Sequence, residues 1–289
     1  MAAPHEFELD PRRVRRAFDR AARTYDRAAA VQGEIRSRLL ERLDLIRLQP
    51  KTVLDLGAGT GVGARALKDR YPAAQVIALD SSLGMLQRAR IHQRWLKPFR
   101  TLAADAAKLP LREGSVDLVI SNLMLEWCSQ PDAVFRELRR VARPQGLVMF
   151  TTLGPDTLKE LRAATTQVWG QAQLHRFIDM HDIGDALMRA GFADPVMDTE
   201  TLGVTFASVR SLVDELKQTG ALSHRPLRPG LTSHRRLRTL EDRFPPEKAP
   251  HRFTLEVVYG HAWVPTGTRT RRTDAEFAIP LTSIGRRMV

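Results

Sequence analysis

The chain has a single cysteine, Cys128, among 289 residues. No internal disulfide can therefore form, and a reducing, cytoplasmic setting is expected. Cys128 sits in an apolar stretch, where a lone thiol is commonly a small buried hydrophobe rather than a nucleophile. No apolar run approaches the roughly 20 residues that span a bilayer, so no membrane helix is expected. The first ten residues carry acids and lack an apolar core, so no secretory or transit leader is expected. Zinc-module spacing, an aromatic-rich RNA-binding signature and internal repeats are also missing. Acids are the scarcer charge: 33 Asp+Glu stand against 45 Lys+Arg, a formal net charge of +12. Thirteen basic and six acidic residues fall in 221–289. Such a surface can attract nucleic acid, an acidic protein or an anionic membrane, and a coding bias toward arginine accounts for it equally well.

What is present is the alternating pattern of an α/β protein, long enough for one generous domain or a core with additions. Val14, Ala17, Phe18 and Ala21, then Ile35, Leu39, Leu43 and Ile46, repeat at helical spacing and predict two lead-in helices before Pro50. Strands are predicted at 52–56, 75–79, 100–104, 115–121 and 146–152. Helices are predicted at 61–70, 82–92, 131–142 and 156–168. This alternation implies a parallel sheet with helices on both faces. Beyond Gly170, a helix capped at Asp179, a strand at 195–206, a helix at 208–218 and a last strand at 252–263 follow. The expected organisation is a helical cap at 1–50 and an α/β domain at 51–263. That domain has its core at 51–152, additions at 153–220 and a mobile loop at 221–250; a basic, flexible tail occupies 264–289.

The chemistry is concentrated at predicted strand ends. The first strand, Val53 to Leu56, contains Asp55 and runs into Gly57-Ala58-Gly59-Thr60-Gly61 and then a helix. Glycines there let the backbone turn tightly and approach a ligand at the helix start. A dinucleotide fingerprint counted from Gly57 needs a small residue at 62, where Val62 stands; a frame from Gly59 through Gly61 and Ala64 begins late. Asp80 ends the second strand, where an acceptor can take both ribose hydroxyls of an adenosyl group, with Ser81 and Met85 just beyond. Asp105 and Ala106 follow the third strand, where the acid can accept from an adenine amino group. Asn122 ends the fourth. A single Asp at a strand end is more often a surface residue or a cap; acids at successive strand ends point to a nucleoside cofactor, S-adenosylmethionine.

Together these residues resemble the class I methyltransferase superfamily over about 50–152, which implies a Rossmann-like, seven-stranded, mostly parallel sheet. A narrower resemblance lies outside that core. Phe18-Asp19-Arg20-Ala21-Ala22 with Thr24-Tyr25-Asp26 and Gln32 is similar to the malonyl-acyl-carrier protein O-methyltransferases of biotin synthesis. So are Ser121-Asn122-Leu123 with Glu126-Trp127-Cys128, the stretch Phe150 to Leu161, and Phe177 to Asp185. The resemblance covers about residues 15–220. Gln145 departs from the commoner Gly in its turn.

The family resemblance implies methyl transfer to the free carboxylate of a malonyl thioester, with an acidic acyl carrier protein as partner. A carboxylate with a pKa near 4 is already ionised at neutral pH, so no general base is expected. Tyr25 and Gln32 are candidates to cover the cofactor. Arg36, Lys159 and Arg162 are candidates to anchor the malonyl group, although each also reads as a solvated helix residue. Arg139 and Arg140 are candidate contacts for the carrier. His175, Asp179, His181 and Asp182 mimic a metal cluster, but capping explains them better and no metal is expected. A monomer without membrane or nucleic-acid partners is expected. The alternatives are a complex I assembly factor that hydroxylates arginine, which shares the Gly154-Pro155-Asp156-Thr157-Leu158-like stretch, another small-molecule methyltransferase, and a nucleic-acid-binding protein on the same fold.

Overall fold

The computed structural model describes residues 9–169, 177–221, 234–245 and 248–266. Seven strands form one sheet in the order β3-β2-β1-β4-β5-β7-β6. They are β1 (Thr52–Leu56), β2 (Gln75–Asp80), β3 (Arg100–Ala103), β4 (Val116–Asn122), β5 (Ala142–Leu153), β6 (Ala193–Phe206) and β7 (His251–Trp263). The pairs β1–β2, β2–β3, β1–β4 and β4–β5 are parallel. β7 runs antiparallel to both β5 and β6, so one reversed strand stands in an otherwise parallel sheet, as expected for seven mostly parallel strands.

The central strands are buried on both faces, which is why they read as continuous apolar runs. Val53, Val76, Ala78, Leu118, Ile120, Leu147 and Met149 pack on one side with Ile35, Leu39, Ala64 and Leu67. Leu54, Leu56, Leu79, Val119, Val148 and Phe150 pack on the other with Phe135, Leu138, Ile183 and Leu187. The first layer comes from α3 (Ala30–Glu41) and α4 (Val62–Arg70), the second from α6 (Pro131–Val141) and α8 (Met180–Arg189). α5 (Leu83–Ala89) connects β2 to β3.

Several expectations need correction. The lead-in is three helices, α1 (Pro11–Ala21), α2 (Tyr25–Ala28) and α3, then a short 3-10 turn at Arg42–Leu45. Ala29, at φ −92° and ψ 40°, separates α2 from α3. Within 221–250, expected as a loop, α10 (His234–Glu241) forms. Its Leu240 is buried with Leu212 of α9 (Val209–Gln218) and Phe253. Val264, placed in the flexible tail, is buried and exchanges backbone hydrogen bonds with the Gln145–Gly146 turn. α7 starts at Lys159, not at Asp156. His175, residues 222–233 and the tail from 267 onward lie outside the described residues.

Candidate functional site

From β1 the chain winds through β2 and β3 to one side of the sheet, then returns to place β4 on the other side of β1. Open α/β sheets bind ligands at such a switch point, beyond the carboxyl ends of the strands. A cavity of about 660 Å³ lies there, well within the size range of small-molecule sites. Its wall joins Gly57 and Gly59 just past β1, Asp80 and Ser81 at the end of β2, Ala103 to Ala107 at the end of β3, and Asn122 to Met124 at the end of β4. Met85 of α5 closes the floor, and Pro11, Arg12, Val14, Arg15, Phe18 and Tyr25 form the roof.

The glycine loop is pinned at both ends. The Gly57 and Ala58 amides both donate to the Leu79 carbonyl, at 2.8 and 2.9 Å. Gly57 sits at φ 74°, and a Cβ there would stand 2.4 Å from Met124 Cγ. Gly61, at φ 81°, starts α4 and touches Ala89 so closely that a Cβ would lie 2.7 Å from its methyl. Side chains are thus excluded by conformation and by space. Asp80 accepts from the Gly59 amide at 2.9 Å through Oδ2 and from the Ser82 amide at 2.8 Å through Oδ1. Both oxygens keep further lone pairs toward the cavity. Burial first, and the Asp19 charge to a lesser degree, raise its pKa against these amide bonds.

Two aspartates latch the roof onto the cofactor-facing loops. Asp19 of α1 accepts from Ser82 Oγ at 2.6 Å and from the Gly84 amide at 3.0 Å. Asp26 of α2 accepts from Thr60 Oγ1 at 2.5 Å, inside the glycine loop. Phe18 meets Trp127 edge-on at 5.4 Å between ring centroids. Asn122 holds the third helix of the cap: its Nδ2 donates to the Gln32 carbonyl at 3.2 Å, while its Oδ1 accepts from Thr151 at 2.9 Å. Leu123, next in the chain, takes a left-handed φ of 51°. Its amide donates to both the carbonyl and the Oγ1 of Thr151. The backbone is strained where strand becomes site.

Buried acceptors cluster at the glycine-loop end of the site. Asp55 is buried beneath the glycine loop, and its pKa rises to about 7 by burial, opposed by the Arg36 guanidinium. Its Oδ2 and the Oε1 of Gln32 are buried acceptors without a hydrogen-bond donor. With Asp80 and Asp105 on the wall, this makes an acceptor-rich surround that suits an adenosyl ligand bearing an ammonium and a sulfonium. Tyr25 lines the same cavity. Burial, then Asp80 and Glu126, push its phenol upward, so it stays protonated.

A smaller cavity of about 260 Å³ lies on the other side of the Leu125–Cys128 segment, lined by Glu126, Thr152, Phe135, Phe177 and Ile183. Glu126 accepts from Thr152 Oγ1 at 3.1 Å, and burial raises its pKa to about 8. Burial, with Glu126 and Asp105, pushes the Cys128 thiol up to about 12. That thiol is no nucleophile at neutral pH.

Of the residues read from sequence as cofactor-binding, Gly57, Gly59, Asp80, Ser81, Met85, Asp105, Ala106, Asn122 and Tyr25 share one cavity wall. Asp55, Ala58, Gly61 and Gln32 stand behind it and shape the loop or carry the cap. None of the three proposed malonyl anchors is on that wall. Arg36 approaches Asp55 and Gly63. Lys159 pairs with Asp156 at 2.9 Å, and Arg162 donates to the Thr157 carbonyl. Arg139 and Arg140 are also engaged. Arg139 donates to the Gly191 carbonyl, while Arg140 binds Glu137 and the Leu109 and Leu111 carbonyls. Asp179 caps α8 and pairs with the His181 ring at 2.7 Å. Sequence reasoning missed Arg12, Arg15, Trp127 and Gln130 on the wall. The amphipathic repeat of α1 was the available signal, but it does not say what the helix covers.

Fold and site together define a class I methyltransferase, and a family model described as a methyltransferase domain matches residues 54–150. The YcgJ protein of Bacillus subtilis superposes with a TM-score of 0.59 at 15% identity, over 79% of this chain and 98% of that one, a likeness of fold alone. The chain belongs to the malonyl-acyl-carrier protein O-methyltransferase family. It is 46% identical to the member from Halorhodospira halophila over 273 residues, 92% of each chain. It is 48% identical to the member from Methylovorus over 270 residues, 89% of this chain and 90% of that one.

Proposed function

We propose that this protein transfers the methyl group of S-adenosylmethionine to the free carboxylate of malonyl-acyl carrier protein, an early step of biotin synthesis carried out in the cytoplasm by a monomer. The observation that carries this reading is the roofed cavity at the switch point, whose wall combines the glycine loop, Asp80 and Asp105. Family membership supplies the acceptor. When bound, S-adenosylmethionine supplies a methyl group already activated by a sulfonium.

The protein's own part is to bind, align and exclude water. Asp80 takes the ribose hydroxyls, Asp105 and Ala106 face the adenine, and the side-chain-free backbone of the glycine loop leaves room for the methionyl end. The acceptor carboxylate is ionised at neutral pH, so the site needs no base. Asp80 is committed to two backbone amides, Asp105 accepts from the Ala107 amide at 2.9 Å, and the Cys128 thiol stays protonated. The Tyr25 hydroxyl makes no hydrogen bond to another described residue, and the residue lines the cavity as a neutral donor. We assign to it the hydrogen bond that orients the malonyl carboxylate.

The test is transfer of label from methyl-labelled S-adenosylmethionine to malonyl-loaded carrier, in a base-labile ester. Intact cofactor binding without such label would overturn the assignment.

A further inference from the structure

Helix α1 carries five arginines in 11 residues, Arg12, Arg13, Arg15, Arg16 and Arg20, and no acid in its first turn. The helix's own physics disfavours this arrangement. Cations in the first turn oppose the helix dipole, and like charges one turn apart, such as Arg12 with Arg16 and Arg16 with Arg20, repel. Among the described residues, the acids on and beside the helix are used elsewhere. Asp19 is bound to Ser82 and Gly84, and Asp26 to Thr60. Asp10 caps the helix and reaches only Arg13, at 3.5 Å. The side chains of Arg12, Arg15, Arg16 and Arg20 make no hydrogen bond or ion pair with another described residue, and all four residues are exposed.

These arginines fall in two rows. Val14, Ala17 and Ala21 are buried. Arg12 and Arg15 sit on the rim of the large cavity, beside Leu83, which is 61% exposed and lines the same rim. Arg13, Arg16 and Arg20 repeat at i, i+3 and i+7, forming an outer stripe one helix face away. A cationic stripe beside an apolar rim residue, at the mouth through which the acceptor must enter, fits an acidic protein that delivers its cargo on a flexible arm.

We infer that α1 is the docking face for the acidic carrier protein: Arg13, Arg16 and Arg20 bind its acidic surface while its arm passes Arg12, Arg15 and Leu83 into the cavity. The inference rests on the proposed substrate for the identity of the partner, but docking is measurable without methyl transfer. The experiment uses the full chain with Arg13, Arg16 and Arg20 all changed to Glu, and a companion with the same three changed to Lys. Affinity for purified acyl carrier protein is read by fluorescence anisotropy at low and high salt. Methyl transfer is read with malonyl on the carrier and on a small pantetheine thioester.

Wild type should bind the carrier, and the affinity should fall as salt rises. The Glu variant should bind it at least about tenfold more weakly, and the Lys variant should bind nearly as wild type does. Cofactor affinity and transfer to the small thioester should be unchanged in both. Carrier binding by the Glu variant equal to wild type, or no carrier binding by wild type at low salt, would overturn the docking face. Binding that depends on these arginines, with no methyl transfer to either malonyl thioester, would leave docking standing and overturn the substrate assignment instead. A Glu variant with lost helicity is resolved by a triple Gln variant, in which carrier affinity must still fall.

Discussion

Replacing Asp80 by Ala should cripple cofactor binding far more than it harms the fold. In the structure each carboxylate oxygen accepts one backbone amide, from Gly59 at 2.9 Å and Ser82 at 2.8 Å, and retains capacity for a ribose hydroxyl. A hydrogen bond to a charged group contributes about 1.5–3 kcal/mol. Two such bonds lost correspond to about 3–6 kcal/mol, roughly a hundredfold to ten-thousandfold in Kd. The Ala variant also frees the Gly59 amide, so the upper part of that range is expected. Asn keeps one acceptor oxygen and most of the shape, and should lose roughly tenfold or more. Titration calorimetry with S-adenosylhomocysteine reads the effect without turnover, and near-ultraviolet circular dichroism reports the fold. Burial raises the Asp80 pKa, so wild-type affinity should also fall on acidification at a pH above the ordinary carboxylate range. An Ala variant that stays folded and binds within about threefold of wild type, less than about 1 kcal/mol, would refute the ribose role.

Tyr25→Phe should lower kcat/KM for malonyl-carrier by roughly tenfold, the worth of about one hydrogen bond, with cofactor affinity unchanged; parallel losses in both would instead place the phenol on the cofactor. Glu126, whose pKa rises from 4.5 to about 8, is favoured protonated by the fold. Its contribution to stability is complete below pH 4.5 and is lost as pH rises through about 8. Glu126→Gln should therefore flatten the fall in Tm between about pH 4.5 and 8, where the linkage amounts to a few kcal/mol at most; parallel Tm curves for variant and wild type would contradict it. Gln145 holds a left-handed φ of 62°, so Gln145→Gly should stabilise by about 0.5–1 kcal/mol in urea unfolding. An unchanged or lower midpoint would show that other contacts of Gln145 outweigh the strain.

The central strands were legible because burial on both faces leaves uninterrupted apolar runs, and β1 falls where the sequence placed it, at Thr52–Leu56. The glycine loop and the strand-end acids were legible because each depends on local backbone geometry. The roof was not. That α1 covers the cavity depends on where β3 and β4 end, far away in sequence, and on the reach of Asp19 to Ser82. Arg139 and Arg140 look free along the chain because the carbonyls that bind Arg140, those of Leu109 and Leu111, come from a loop that only tertiary packing brings near. The α10 helix was hidden by its Arg- and His-rich composition. Leu240, its one core residue with a described side chain, finds its partners on α9 and β7.

The most direct test of the account is to locate the transferred methyl. Carrier loaded with malonyl, acetyl or succinyl is incubated with S-adenosylmethionine and the protein, and the products are fragmented in a mass spectrometer. One added methyl is expected on the terminal carboxyl oxygen of the malonyl group, and none on the acetyl carrier, which has no free carboxylate. A methyl found elsewhere, or found on none of the three while the cofactor binds normally, would contradict it.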